Sequence, residues 1–337
     1  MTTEALICTH PFEWCEIHPD GKVFSCCPAW LKTPIGNLLE QPLMEIWNGP
    51  VARGLRSNVL NGTFHSCNRK RCPRLATLAA PVMPIAAVAD KEVGEALRKN
   101  RSTLPYGPKT VNLCFDLSCN LACPSCRSEV AVASGAAKER AQTLAARLVE
   151  QAPPHAERLI VSGFGDPFGS PSYRSLLQGI TPDSWPKLRR VDLHTNGQLW
   201  DEPTWNRFPG LHPLVRSAEI SVDAASAATY AKNRGGDFDR LLANLDFIRT
   251  LPIELKLSCV VQHNNFRELP AFVERARRYG ASVYLSQLVN WGTFSRGEFL
   301  RRAVHLPTHP DHDTLLAVLG PLSNLPHVDL GNLAPLV

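Results

Sequence analysis

The most constraining stretch of this chain is VNLCFDLSCNLACPSCRSE, residues 111–129. From Val111 to Asp116 apolar and polar residues alternate, the period of a half-buried strand. The loop that follows carries thiols at Cys119, Cys123 and Cys126 in a C-x3-C-x2-C spacing. Three thiolates on one short loop can face a common point, and thiolates are the usual ligands of iron-sulfur clusters. A four-iron cubane held by three of them keeps one iron free. A structural zinc site, a disulfide with a spare thiol, and buried cysteines are the competing readings. Zinc normally takes four protein ligands, and the nearest fourth thiol, Cys114, sits on the preceding strand.

The rest of the chain narrows the setting. With 337 residues, 44% hydrophobic and 20% charged, it can bury a real core as one large domain or as a barrel with a small companion. The start, MTTEALICTH, lacks a basic stretch followed by an apolar run, so no signal peptide is expected. The apolar region Leu75 to Ala89 is interrupted by Pro81 and Pro84 and is too short to cross a bilayer. The expected compartment is the cytoplasm, with no membrane partner. There, 11 cysteines favour metal binding or chemistry over disulfides. The net charge of +5 is small, and runs such as Arg275, Arg277 and Arg278 read as solvated faces, so nucleic acid is not an expected partner.

Before this loop, Pro19-Asp20-Gly21 between alternating runs predicts a hairpin turn that brings Cys8 and Cys26 to neighbouring strands. Leu38 to Leu60 carries helical apolar spacing and precedes Cys67 and Cys72. Four thiols from a hairpin and a later loop can enclose a metal centre, zinc and iron-sulfur fitting the spacing equally. Cys15 reads as core, and Cys27 as the weaker alternative to Cys26. Residues 79–107 read as a linker around one helix, Asp90 to Lys99, capped by the aspartate. From Lys109 onward, strands near 111–116, 158–162, 189–194, 217–222, 254–261 and 282–288 alternate with helical segments, the pattern of a parallel α/β fold.

The loop and its surroundings resemble the radical S-adenosylmethionine superfamily, whose signature is C-x3-C-x2-C after the first strand of a partial barrel. The resemblance implies a partial (β/α)6 barrel over residues 108–337. It makes Cys119, Cys123 and Cys126 ligands of a [4Fe-4S] cluster whose free iron chelates S-adenosylmethionine. One electron, from a donor such as flavodoxin or ferredoxin, then cleaves it to methionine and a 5'-deoxyadenosyl radical. VSGFGDPFG resembles the family's G-G-E-P segment through Gly163, Gly165, Asp166 and Pro167, with Asp166 expected to accept from the methionine ammonium. Asn196 in LHTNG resembles the segment near the nucleoside, and Ser221 and Arg234 match residues that contact the methionine carboxylate. Ser125 occupies a position that is often aromatic in the family.

Residues 1–78 are similar to the SPASM or twitch module of the same enzymes, on C-x12-G-x4-C from Cys8 through Gly21 to Cys26, then IGNL and EIW. That resemblance implies a small hairpin-plus-helix module with an auxiliary [4Fe-4S] cluster on Cys8, Cys26, Cys67 and Cys72, placed before the barrel instead of after it.

Alternation along the strands sends Asn112, Cys114, Asp116, Asp192, His194, Glu219, Ser221, Asp223, Lys256 and Ser258 to the barrel interior. So polar an interior suits a hydrophilic pocket. The expected function is hydrogen abstraction from a polar small molecule such as a sugar, aminocyclitol or nucleoside derivative, ending in oxidation, epimerisation or decarboxylation. Cys114 is the expected hydrogen donor for epimerisation and Cys259 the second candidate; Lys256 or Arg234 would seat a substrate carboxylate. The alternative substrate is a ribosomally synthesised peptide. Gln262, Asn264 and Trp291 lie near strand ends, and His305, His309 and His312 read as a loop and helix face.

Overall fold

The computed structural model describes residues 6–69, 72, 74, 75, 78, 80–161 and 163–337. The first five residues, part of the stretch read for a leader, lie outside the described set. Among the described residues no helix is long and apolar enough to cross a membrane.

The chain is α/β with mostly parallel strands and packs as two compact units. One comprises Met1–Leu117, Ala133–Phe164 and Ser175–Val191; the other comprises Ser118–Val132, Gly165–Arg174 and Asp192–Val337.

In the first unit, β1 (Leu6–Cys8), β2 (Trp14–Ile17), β3 (Lys22–Phe24), β4 (Gly36–Asn37), β5 (Val82–Pro84), β6 (Thr110–Leu113) and β7 (Arg158–Val161) form two sheets. β1 pairs antiparallel with β5 alone, and the larger sheet runs β7-β6-β2-β3-β4. The Pro-Asp-Gly turn joins β2 to β3, with Gly21 at φ +82°, a left-handed conformation that glycine adopts without a Cβ penalty. Cys8 is not on that hairpin. It sits on β1 opposite Val82, so part of the segment expected as a linker is a strand partner of the cysteine-bearing N-terminus.

The pairing that matters most is β2 with β6, parallel and in register from Trp14 with Thr110 to Ile17 with Leu113. It merges the N-terminal module with the first strands of the α/β region, which is why packing does not divide the chain at residues 78 and 107. On this sheet Cys15, Val111 and Leu159 share a fully buried face, while Glu16, Asn112 and Ile160 share the other.

The expected helix over 38–60 splits into Leu43–Trp47 and Pro50–Leu60. Gly49 and Pro50 restart it, since proline is at home in a first turn and not inside one. The helix Lys91–Arg98 begins where its aspartate predicts, the Asp90 carboxylate accepting from the Val93 amide at 2.9 Å.

In the second unit the order is β8 (Arg190–Thr195), β9 (Val215–Ser221), β10 (Glu254–Val261), β11 (Ser282–Gln287) and β12 (Val328–Asp329), with β9 to β12 parallel. Strict alternation holds in β10, where Leu255, Leu257, Cys259 and Val261 are buried and Lys256 and Ser258 half-buried. Serine and aspartate N-caps at Asp201, Ser226, Asp237 and Ser295 start four helices of this unit.

Candidate active site and auxiliary thiol site

The cysteine loop belongs to the second unit, and hydrogen bonds hold it to two segments that follow strand ends. Asp166 is the hub. Its Oδ1 accepts from the amides of Phe168 and Gly169 at 2.9 and 3.0 Å, and its Oδ2 from Thr195 Oγ1 at 2.7 Å and the Asn196 amide at 2.9 Å. Its own amide donates to the Ser118 carbonyl, at the root of the loop, at 2.9 Å. Four donors occupy the positions a carboxylate offers. Asp166 is 1% exposed, so it locks the loop in place instead of presenting free oxygens to an ammonium group.

Asn196 completes the connection, donating through Nδ2 to Asn120 Oδ1 at 2.9 Å and to Cys119 Sγ at 3.6 Å. Such N–H to sulfur contacts orient a ligating thiolate and tune it. Cys119 and Cys123 are buried and Cys126 is exposed. Burial pushes the Cys119 and Cys123 thiols up as free groups; iron, which binds thiolate, would reverse that.

Arg234 ends the helix Ala227–Asn233, and its carbonyl lies 3.7 Å from Cys123 Sγ. Its guanidinium donates to Asp223 Oδ2 at 3.1 Å, while its buried Nε has no partner. An orphaned guanidinium N–H beside a thiol loop fits a carboxylate that arrives with a ligand. Asp223 has φ +60°, uncommon for a residue with a Cβ. Val260 N–H donates to its Oδ1 at 2.7 Å, and Asn233 and Asn265 donate to its carbonyl at 2.9 and 3.0 Å. Sequence reading missed Asn233 and Asn265, for an asparagine at a helix end or in a loop has no local signature of a tertiary partner. Ser221 is half-buried and receives a long 3.5 Å contact from Ser258 Oγ.

The remaining expected residues are placed as follows. Cys114 and Asp116 follow the end of β6 and are 2% and 1% exposed, so neither lines an open cavity. The Cys114 thiol is raised well above its ordinary value, by burial first and then by the Glu16 charge, and the amides of Gly163 and Phe164 donate to it. A Cβ at Gly163 would stand 2.3 Å from Cys114 Sγ, so only glycine fits there. Cys259 lies on the buried face of β10, where Asn265 Nδ2 donates to it at 3.5 Å. Lys256 is on the half-buried face, its Nζ 5.8 Å from the Tyr284 ring centroid. Gln262 is buried, Asn264 exposed, and Trp291 68% exposed.

In the first unit the thiols of Cys8, Cys67 and Cys72 lie within electrostatic reach of one another, and Cys26 within reach of Cys8 and Cys72. Cys26 Sγ accepts from Trp30 Nε1 at 3.2 Å and sits 3.9 Å from His10 Nδ1. Cys27 lies within reach of Glu16, Cys72 and Cys114, with no interaction with Cys8 among those described. Among the described residues no three His, Cys, Asp or Glu side chains close on a single metal ion, including His305, His309 and His312. A cubane keeps its ligating sulfurs farther apart than one ion does, and sets made purely of thiols suit it.

The family model of the SPASM iron-sulfur cluster-binding domain matches residues 8–73. This chain is similar to that family over those residues. It is 25% identical over 179 residues to the AdoMet-dependent heme synthase of Methanosarcina barkeri, an overlap of 52% of this chain and 49% of that protein. The chain thus spans about half the length of that curated relative. Streptococcus suis SuiB bound to S-adenosylmethionine has a TM-score of 0.46 and 13% identity, over 71% of this chain and 54% of that one. Native anSMEcpe with bound AdoMet has a TM-score of 0.44 and 18% identity, over 61% of this chain and 57% of that one. Likeness at these scores is partial.

Proposed function

We propose that this chain is a radical S-adenosylmethionine enzyme, one that uses reductive cleavage of S-adenosylmethionine to abstract hydrogen from a substrate. The observation that carries the reading is the convergence, inside one unit, of the three-thiol loop with Asp166, Asn196 and the unpaired Arg234 Nε. When bound, the cluster and S-adenosylmethionine supply one-electron cleavage to methionine and a 5'-deoxyadenosyl radical.

The protein's own part is positioning. Cys119, Cys123 and Cys126 hold the cluster; Asn196 orients the Cys119 sulfur; Asp166 fixes the backbone of Gly165 to Gly169. Arg234, held on one side by Asp223, offers Nε to the methionine carboxylate, with Ser221 near the same strand end. Cys8, Cys26, Cys67 and Cys72 would hold the auxiliary cluster, with Cys26 preferred to Cys27 because it reaches Cys8 as well as Cys72.

The substrate reading divides between a polar small molecule and a ribosomally synthesised peptide. Glu219, Ser221, Lys256, Ser258 and Tyr284 remain half-exposed instead of enclosed. A polar face left open admits part of a longer chain, which favours the peptide; SuiB has itself been crystallised with its precursor peptide SuiA. Oxidation, epimerisation and decarboxylation all fit the chemistry. Cys114, the expected hydrogen donor for the second, is buried and lines no open cavity, so Cys114→Ala is expected to leave any epimerisation at its normal rate.

Anaerobically reconstituted protein is expected to release 5'-deoxyadenosine under dithionite, and deuterium from a labelled peptide or sugar substrate should appear in it. Zinc in place of iron and sulfide, with no cleavage, would overturn the reading.

A further inference from the structure

Within the second unit a cleft of about 900 Å3 opens beside the segments that follow β9 and β10. Its volume is that of an ordinary ligand site. The wall includes Lys232, His263, Glu298, Arg301, Arg302 and Asp311. Both acids are already used. Asp311 takes Arg267 at 2.7 Å and His263 at 3.0 Å, and Glu298 takes Arg302 at 3.0 Å. Neither Lys232 nor Arg301 has an anionic partner among the described interactions, so the wall holds two uncompensated cations. His309 is fixed as a polar element of the same wall, its Nδ1 accepting from the Asp311 amide at 3.0 Å and its Nε2 facing the Arg301 carbonyl at 3.1 Å.

Position gives the charge a purpose. Lys232 is two residues before Arg234, and Asn264, also in the wall, donates to Asn233 Oδ1 at 2.6 Å. The cleft is therefore built on the same helix end that carries the unpaired Arg234 Nε. A group seated there lies next to the proposed S-adenosylmethionine site without using any of its residues.

We propose that this cleft is a substrate subsite for carboxylates, with Lys232 and Arg301 as the specificity-determining cations; this rests on the functional reading above. Cations in an open, hydrated wall give modest affinity and marked salt dependence. The carboxylates come either from acidic side chains of a peptide or from a small polycarboxylate, and the chemistry recognised is the same.

Fluorescence anisotropy of the full reconstituted protein tests this with fluorescein-labelled hexaglutamate as the probe and citrate as the competitor. Binding is expected to weaken at least ~10-fold in Lys232→Ala/Arg301→Ala, the scale of two lost charge contacts, and to weaken with added salt. Glu298→Gln, which frees Arg302, should tighten the probe, so a poorly folding double variant does not leave the cleft unexamined. Competition by citrate assigns a small polycarboxylate, and its failure assigns a peptide; either supports the site. Absence of probe binding, or affinities that none of these variants changes, overturns it. Release of 5'-deoxyadenosine by the wild type is measured in parallel. Its absence overturns the functional reading, whereas its presence without probe binding overturns only the cleft.

Discussion

The two thiol sites are built by opposite strategies. The proposed loop site takes its thiols from eight consecutive residues, Cys119 to Cys126, and hydrogen bonds from Asp166 and Asn196 hold that loop in place. The auxiliary site gathers Cys8 from a strand, Cys26 from beyond a hairpin, and Cys67 and Cys72 from after a helix. Among the described residues its polar supports are Trp30 and His10 at Cys26 and the His10 amide at Cys8. A site prepared by the protein can bind and release a ligand while its frame stays rigid. A site spread over 65 residues of sequence instead ties its own order to its metal, because the cluster closes loops that the chain alone leaves costly to close.

The largest effect that sharpens this contrast comes from the loop. Cys123→Ala should abolish 5'-deoxyadenosine release and remove one cluster's share of iron while leaving thermal unfolding of the protein nearly unchanged. Cys72→Ala should do the reverse, keeping S-adenosylmethionine cleavage but lowering the melting temperature; equal losses of stability in both variants would break the comparison.

A smaller effect is expected at Arg234. Arg234→Ala should weaken S-adenosylmethionine binding by ~10- to 100-fold, the worth of a charge-assisted hydrogen bond, read by equilibrium binding on the reconstituted protein. An unchanged affinity would mean that the orphaned Nε has no ligand partner.

Asp166→Asn turns one acceptor into a donor aimed at N–H or O–H groups, and should cost about 1–3 kcal/mol in denaturant unfolding. The same variant should loosen iron binding at the loop by ~10-fold or more, as loss of a supporting contact does.

The smallest effect lies away from both sites. Burial works against ionised Asp90, but the Lys109 hydrogen bond at 2.7 Å and the Val93 amide outweigh it and hold the carboxyl below its ordinary value. Its contribution is therefore present above about pH 4 and lost as pH falls through the lower folded value. Asp90→Ala should cost about 1 kcal/mol at neutral pH, with a shallower loss of stability on acidification.

Much of this was legible in the chain itself. The strands at 158–161, 190–195 and 254–261 sit within a residue or two of their predicted places, because alternation reports burial directly. An aspartate before a helical run found the cap at residue 90. What stayed hidden was long-range. Nothing local in Glu16 or Cys8 says which strand each will pair with, and nothing in Asp166 says that four donors will occupy it. Past Leu113, where the strand ends, Cys114 still lies on the side of Asn112 and Glu16, but Cys114 and Asp116 are buried more deeply than Asn112.

The ladder between Trp14–Ile17 and Thr110–Leu113 has a consequence for how such a chain can be cut or made. The N-terminal piece emerges from the ribosome about a hundred residues ahead of the strand it must join, so it waits with an open edge until that partner arrives. Expressing residues 108–337 alone would leave the opposite edge uncovered. The iron-binding module thus cannot be traded between proteins like a bead on a string without a replacement strand to fill its seat.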